Sequence, residues 1–151
     1  MKVLVIEDNR MDATDLREKL TKLENEMEFK LNLVVMLYQR FEEFQTQLDR
    51  TYPRGQVSPD SRFDFVSFDL IFAERTTSAD VDGGTLLIDW LVEKGRLEYL
   101  GIPVVRSRRT YAPPTGYGFR TVAKQTGQEL DDWRTILDEI LTNKQETAVD
   151  N

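Results

Sequence analysis

The chain has 151 residues, of which 40% are hydrophobic and 31% charged, and these proportions are ordinary for one soluble globular domain. Its formal net charge of −7 argues against a nucleic-acid-binding surface, because phosphate backbones attract basic surfaces. The chain contains no cysteine and no histidine, which excludes disulfides, thiolate or histidine catalysis and most transition-metal sites. No stretch approaches the ~20 apolar residues of a membrane span, and the first apolar run is too short for a signal peptide, so we expect a cytoplasmic protein.

The first half of the chain alternates apolar runs with amphipathic segments, which is typical of βαβ units around a parallel sheet. The apolar run at residues 2–6 predicts a first strand, and the helical spacing of apolar residues from about Asp12 predicts a helix after it. Residues 31–37 are nearly all apolar and predict a second strand that is covered on both faces. A second helix is expected over residues 38–48, followed by a loop of turn-forming residues at 51–61.

The second half of the chain continues this alternation. Residues 63–71 predict the third strand, and Gly84 opens a helix that Gly95 is well placed to end. The fourth strand is expected at residues 102–107. The last helix begins with a capping-box pattern, Thr126-Gly-Gln-Glu129, before its apolar positions.

The connection between the fourth strand and the last helix leaves two interpretations. Residues 108–117 include the pair Pro113-Pro114, which leaves little room for a full helix. Residues 119–123 then form a weak fifth strand. Alternatively, residues 119–125 are helical and the fifth strand is absent.

The end of the chain is more polar than the segments before it. The last apolar positions of the final helix are Ile140 and Leu141, and the residues that follow are polar. No internal repeat divides the chain. We therefore expect one domain over residues 1–143 and a polar C-terminal tail over residues 144–151.

Acidic residues stand at the ends of two predicted strands. Glu7 and Asp8 follow the first strand, and Asp69 lies near the end of the third, inside an apolar stretch. Ligands of a parallel α/β sheet bind beyond the carboxyl ends of its strands, so these carboxylates are expected to meet there. Like charges that close cannot all remain ionised without a positive partner, and Mg²⁺ prefers carboxylate and carbonyl oxygens. The pattern favours a magnesium site, although acidic residues also end strands in solvent.

Five segments in the expected order resemble response-regulator receiver domains. They are Met1-Lys-Val-Leu-Val-Ile-Glu-Asp-Asn9, Asp64-Phe-Val-Ser-Phe-Asp-Leu70, Asp82-Gly-Gly84, Ile102-Pro-Val-Val105 and Lys124. The resemblance covers about residues 1–141, and only the ordered set is specific. It implies an α/β fold with a doubly wound, parallel, five-stranded, flavodoxin-like sheet, in which the helix between strands four and five is reduced or missing.

The resemblance also implies a Mg²⁺-dependent phosphorelay chemistry. Asp69 would accept a phosphoryl group from a histidine kinase, a phosphotransfer protein or a small phosphodonor. Mg²⁺ would be held by Glu7, Asp8, Asp69 and the backbone carbonyl of Ile71. Lys124 would neutralise part of the charge on the transferred oxygens, because such transfer depends mainly on positioning and charge neutralisation.

Two positions depart from the pattern of that family, and a basic cluster lies near them. The expected Ser/Thr after strand four falls on Arg108, so the hydroxyl role passes to Ser107, or to Thr110 as the poorer candidate, or is absent. Lys124 is followed by Gln125 where the family has proline. A basic cluster of Arg106, Arg108 and Arg109 is expected beside the pocket, either to contact a phosphate or a partner, or to balance nearby carboxylates in solvent.

Two functions remain open at the level of sequence. The first is a stand-alone receiver that is phosphorylated on Asp69 and signals through protein contacts, not as an enzyme. Its partners would be a histidine kinase or phosphotransfer protein, a downstream protein and, as a further option, a second copy of the chain. The second is a degenerate receiver that binds partners without phosphorylation. A metal-dependent phosphatase of the Asp-x-Asp type is disfavoured, because Asp69-Leu-Ile71 lacks the second aspartate of the Asp-x-Asp motif.

Overall fold

The computed structural model describes residues 1–51, 62–70, 72–73, 80–81 and 83–149. The elements in chain order are β1 (Lys2–Glu7), α1 (Arg10–Met27), β2 (Asn32–Leu37), α2 (Phe41–Thr51), β3 (Phe65–Phe68), β4 (Phe72–Ala73), β5 (Asp80–Val81), α3 (Gly83–Glu93), β6 (Ile102–Ser107), β7 (Arg120–Ala123) and α4 (Glu129–Val149). A 3₁₀ turn at Leu97–Leu100 precedes β6. Within these ranges, no helix is long and apolar enough to cross a membrane.

The central element is a five-stranded sheet in the order β2-β1-β3-β6-β7, with every neighbouring pair parallel. This order places β1 between β2 and β3 and is the flavodoxin-like doubly wound arrangement. The predicted fold class is therefore confirmed. The short strands β4 and β5 pair with each other in a separate antiparallel sheet.

Helices cover the sheet on both faces, which explains the continuous apolar runs of its inner strands. One core cluster joins strand residues such as Leu4 and Ile6 to α2 and α3. The other joins alternate strand residues such as Val3 and Val5 to α1 and α4, where the rings of Phe65 and Trp133 lie 5.4 Å apart. Successive side chains of β1 point to opposite faces of the sheet, so this strand contributes to both core clusters.

No helix forms between β6 and β7, so the predicted loss of this helix is confirmed. Residues 108–119 form turns and loop instead, with Tyr111 and Phe119 packed against the core cluster on the α2–α3 face. The strand at Arg120–Ala123 also settles the two interpretations of this region: the alternative of a helix over residues 119–125 is wrong.

The last helix differs from its predicted form at both ends. It begins at Glu129, whose side chain accepts from the backbone N–H of Gln125 and not from that of Thr126, so the reciprocal capping box predicted for Thr126 and Glu129 forms only in a shifted version. It also extends to Val149, with residues 142–146 exposed. The division into a domain over residues 1–143 and a tail over 144–151 stays a prediction.

Candidate functional site

Glu7, Asp8 and Asp69 converge at the carboxyl edge of the sheet. Strands β1 and β3 are parallel neighbours with Ile6 opposite Phe68, so both chains leave the sheet at the same level. The backbone N–H of Asp69 donates to the Ile6 carbonyl at 3.0 Å and continues this pairing beyond the strand. One carboxylate oxygen from each acidic residue lies within 4.8 Å of the others. The three carboxylates therefore lie close together, as the sequence predicts.

The turn from β1 into α1 fixes the first two carboxylates. Asn9 is the N-cap of α1, and its side-chain oxygen accepts from the backbone N–H groups of Met11 and Asp12 at 2.9 and 3.2 Å. Glu7 Oε1 accepts from the N–H groups of Asp8 and Asn9 at 3.0 and 3.2 Å. These contacts hold Glu7 under the helix N-terminus, and its other oxygen, Oε2, lies 3.7 Å from the Lys124 ammonium.

Gly84 lets α3 approach the backbone of Asp69. A Cβ at this position would lie 2.0 Å from the Asp69 carbonyl oxygen and 2.5 Å from Leu70 Cα. The N–H of Gly84 donates to the Leu70 carbonyl at 2.9 Å. Any side chain at Gly84 therefore displaces the backbone that carries Asp69, which gives a steric reason for glycine at the start of α3. Asp82, the first residue of the Asp-Gly-Gly motif, lies outside the described residues.

Lys124 enters the site from the end of β7, as the resemblance implied. Its backbone N–H donates to the Ser107 carbonyl at 3.0 Å, which places its side chain across the sheet edge. The ammonium lies 3.5 Å from Asp69 Oδ1 and 3.7 Å from Glu7 Oε2. Its shortest contact, 2.8 Å, is with Asp12 Oδ2. Lys124 thus contacts three carboxylates at once.

The electrostatics of the three carboxylates are those of a cluster with too little positive charge. Burial, assisted by the charge of Asp69, raises the pKa of Glu7 to about 9. Burial is also the main cause that raises the pKa of Asp8, to about 6. Burial alone would lower the pKa of Lys124, but the carboxylates of Asp69, Asp12 and Glu7 outweigh it and raise that pKa. One lysine therefore does not compensate the acidic residues around it.

A cavity of about 210 Å³ opens over these groups. Its lining includes Asp8, Asp12, Asp69, Ser107, Arg108 and Lys124. Thr110 does not line this cavity but a neighbouring groove of about 320 Å³ along β6 and β7. The hydroxyl of Ser107 accepts from the N–H of Arg109 at 3.1 Å and keeps its own hydrogen for a further acceptor.

Not every residue of the sequence-based hypothesis can be located in the site. Ile71, whose backbone carbonyl was expected to bind the metal, lies outside the described residues. The described residues contain no cis peptide bond, and Gln125 instead takes a left-handed conformation with φ of 57°. The turn after Lys124 is therefore built without the proline of the family.

The predicted basic cluster is wrong for Arg106. Its side chain is buried on the α1–α4 face, where its guanidinium donates to Glu129 and Asp15, each at 2.7 Å. Only Arg108 and Arg109 of the three arginines line the cavity. Alternation along β6 explains the difference, because Arg106 and Ser107 point to opposite faces of the sheet.

Asp12 is the site residue that sequence reasoning missed. It was treated only as the start of a helix, yet its side chain contacts both Lys124 and Gln125 from the first turn of α1. The helical four-residue spacing gave no signal, because Asp8 precedes Asn9, the N-cap of α1, and is not part of the helix. The partner, Lys124, is 112 residues away in the chain and could not be read from local spacing.

Comparisons with known proteins support the fold. No family model and no curated protein matches the chain. A crystal structure of the N-terminal domain of a response regulator/sensory box/GGDEF 3-domain protein from Carboxydothermus hydrogenoformans aligns with a TM-score of 0.52 at 15% identity, covering 98% of this chain and 99% of that chain. A yeast Spc42 trimeric coiled-coil segment fused to another structure aligns with a TM-score of 0.49 at 17% identity, over 97% and 81% of the two chains.

The first of these similarities spans both chains almost completely, and the sheet order found here is the same flavodoxin-like order that the resemblance implied. At 15% identity it shows the fold and not the activity. The chain has the fold of a response-regulator receiver domain.

Proposed function

We propose that the protein is a receiver that accepts a phosphoryl group on Asp69 in a Mg²⁺-dependent reaction. The observation that carries the proposal is the set of three carboxylates within 4.8 Å of one another beside Lys124, at the carboxyl edge of a receiver-fold sheet. The raised pKa of Glu7 supports it, because a buried carboxylate with an unmet charge binds a cation favourably.

The donor set fits Mg²⁺. The ion prefers oxygen ligands and is bound through one or two carboxylates together with water and phosphate oxygens. Glu7, Asp8 and Asp69 supply such oxygens from a site that contains no nitrogen or sulfur ligand. The carbonyl of Ile71 remains a proposed fourth protein ligand. When bound, the ion would neutralise charge on the oxygens of the phosphoryl group.

The residues of the chain have distinct roles in this proposal. A carboxylate oxygen of Asp69 attacks the phosphorus of a phosphohistidine, the P–N bond breaks, and the imidazole leaves with the electron pair and takes up a proton. The product is an acyl phosphate on Asp69. Lys124, 3.5 Å from Asp69, neutralises a phosphoryl oxygen. Ser107 donates its hydroxyl hydrogen to another, and it is favoured over Thr110 because it lines the same cavity as Asp69.

The partners follow from this chemistry. A histidine kinase or a phosphotransfer protein would supply the phosphoryl group, and the message would pass to a downstream protein by contact. The alternative function is a receiver that binds partners without phosphorylation. The loop at residues 108–119 is the observation that favours it, since this loop replaces a helix of the receiver fold beside the site.

The experiment that tests the proposal is the intact mass of the protein after incubation with acetyl phosphate, with and without Mg²⁺. We expect one added phosphoryl group that requires Mg²⁺, is released by hydroxylamine and is absent in Asp69→Asn. Asp64→Asn is the matched control, because Asp64 precedes the same strand at its other end and pairs with Lys144 away from the site. No added mass in the wild type would favour the phosphorylation-independent alternative.

A further inference from the structure

The position of Lys124 is set by a carboxylate outside the three that converge at the sheet edge. Lys124 Nζ lies 2.8 Å from Asp12 Oδ2, whereas it is 3.5 Å from Asp69 and 3.7 Å from Glu7. Only the contact with Asp12 has hydrogen-bond length. In this structure the ammonium is therefore hydrogen-bonded to Asp12 and ion-paired with Asp69 at a longer distance.

Asp12 has the contacts of a partner for Lys124 and not those of a metal ligand. Its second carboxylate oxygen, Oδ1, accepts from the side-chain amide of Gln125 at 2.9 Å. Both oxygens are thus occupied by donors from the same turn. The three carboxylates that lie within 4.8 Å of one another do not include Asp12.

Both sides of this contact are anchored in the buried charge cluster on the α1–α4 face. Arg106 Nη1 donates to the backbone carbonyl of Asp12 at 3.2 Å. The N–H of Gln125 donates to Glu129 Oε1 at 2.6 Å, and Glu129 is fully buried. The backbones that carry the Asp12 and Gln125 side chains are therefore both hydrogen-bonded to the same buried cluster. The contact between Asp12 and Lys124 is built into the fold and does not depend on two long, free side chains finding each other.

We propose that Asp12 is a positioning residue that holds the Lys124 ammonium in a hydrogen bond in the resting protein, so that an incoming phosphoryl group must take Lys124 from Asp12. This inference rests on the proposed function, since it concerns how the same site accepts its phosphoryl group. Asp12 competes with the phosphoryl oxygens for one ammonium. Its presence weakens phosphoryl binding and favours the resting state.

The first test measures binding of beryllofluoride, an anion with the shape and charge of a phosphoryl group, in the presence of Mg²⁺. Asp12→Asn should bind it about fivefold more tightly than the wild type, the equivalent of one partly exposed ion pair. Glu18→Gln is the matched control, because it removes one negative charge from an exposed position on the same helix. It should leave the affinity unchanged.

A double-mutant cycle separates positioning from a general charge effect. If Asp12 acts through Lys124, the Asp12→Asn effect disappears in a Lys124→Met background. An Asp12→Asn effect that persists in that background, or an Asp12→Asn variant that binds no more tightly than the wild type, would overturn the proposal.

The second test does not depend on phosphoryl binding. The side-chain ¹⁵N resonance of the Lys124 ammonium, measured without Mg²⁺ or beryllofluoride, should shift in Asp12→Asn and stay in place in Glu18→Gln. If the wild type binds no beryllofluoride, the proposed function fails. The Lys124 resonance still tests whether Asp12 and Lys124 are in contact. A Lys124 signal that is the same in Asp12→Asn and the wild type would overturn the inference.

Discussion

Two clusters of charged side chains lie next to each other in this molecule and differ in their charge balance. In the first, at the sheet edge, Glu7, Asp8 and Asp69 converge, and Lys124 pairs with Glu7 and Asp69. In the second, on the α1–α4 face, the members are Glu129 and Asp15 with Arg106 and Lys19. The second cluster has as many cations as carboxylates, whereas the first has three carboxylates and one cation.

The pKa values of two buried glutamates show what this difference does. Burial alone would raise the pKa of Glu129, but hydrogen bonds from Arg106, the Gln125 N–H and Lys19 outweigh it and lower the pKa to about 2. Burial and the charge of Asp69 raise the pKa of Glu7 to about 9. The same residue type at similar depth is thus a stabilised anion in one cluster and a carboxyl group that keeps its proton at neutral pH in the other.

The two glutamates affect stability in opposite pH ranges. The folded-state pKa of Glu129 lies below its ordinary value of 4.5, so its stabilising contribution is present above that value and is lost as the pH falls toward 2. The folded-state pKa of Glu7 lies above 4.5, so the protein without metal loses stability as the pH rises from 4.5 toward 9.

Breaking the balanced cluster should have the largest effect on stability. Glu129→Ala leaves the buried Arg106 guanidinium with Asp15 as its remaining carboxylate partner, and we expect it to lower the free energy of unfolding by about 3–5 kcal/mol. Urea unfolding measures the change. The matched control is Asp131→Ala, an exposed acidic residue in the same turn of α4, with an expected change within about 0.5 kcal/mol. Equal effects of the two substitutions would mean that the buried cluster is not structural.

Displacing the backbone of the acidic cluster should have an intermediate effect. Gly84→Ala places a Cβ against the Asp69 carbonyl, and we expect a loss of about 1–3 kcal/mol together with weaker Mg²⁺ binding. Gly127→Ala is the control, because nothing lies within 4 Å of a Cβ at that position. Urea unfolding and a Mg²⁺ titration measure the two quantities. A Gly84→Ala variant as stable as Gly127→Ala would contradict the close approach of α3.

Removing one charge from the acidic cluster should have the smallest effect on stability, and it should raise the free energy of unfolding instead of lowering it. Asp69→Asn removes one of the converging charges, and we expect it to raise the free energy of unfolding of the Mg²⁺-free protein by about 1 kcal/mol at pH 8. The gain should shrink as the pH falls below about 6, the pKa of Asp8, because protonated Asp8 no longer repels Asp69, and it should be absent in Asp64→Asn. Urea unfolding across pH 5–9 tests this, and a destabilised Asp69→Asn would contradict the charge imbalance.

The sequence predicts the positions that depend on the ends of strands. Glu7 and Asp69 follow continuous apolar runs, and the topology of a parallel sheet then brings them to one edge whatever the loops do. The missing helix was equally predictable, because Pro113-Pro114 interrupts a segment already too short for one. These features depend on local pattern and on a sheet order with few alternatives.

The contacts that link distant segments could not be predicted from local pattern. The same sequence, Thr126-Gly-Gln-Glu129, fits a capping box, yet Glu129 turns inward because Arg106 needs a buried anion. Whether Arg106 faces the cavity or the core depends on the register of β6, which a one-residue shift reverses. Asp12 likewise gains its role only when β7 brings Lys124 to the N-terminus of α1.

The central claim is that the acidic cluster of Glu7, Asp8 and Asp69 binds a cation. Calorimetry of Mg²⁺ binding at pH 7.5, in buffers of different ionisation enthalpy, tests this claim most directly. Because the pKa of Glu7 is raised to about 9, Mg²⁺ must displace a proton from the cluster. We predict binding with release of about one proton in the wild type, and much weaker binding with less proton release in Asp69→Asn. Absent binding in the wild type, or binding that Asp69→Asn leaves unchanged, would contradict the account.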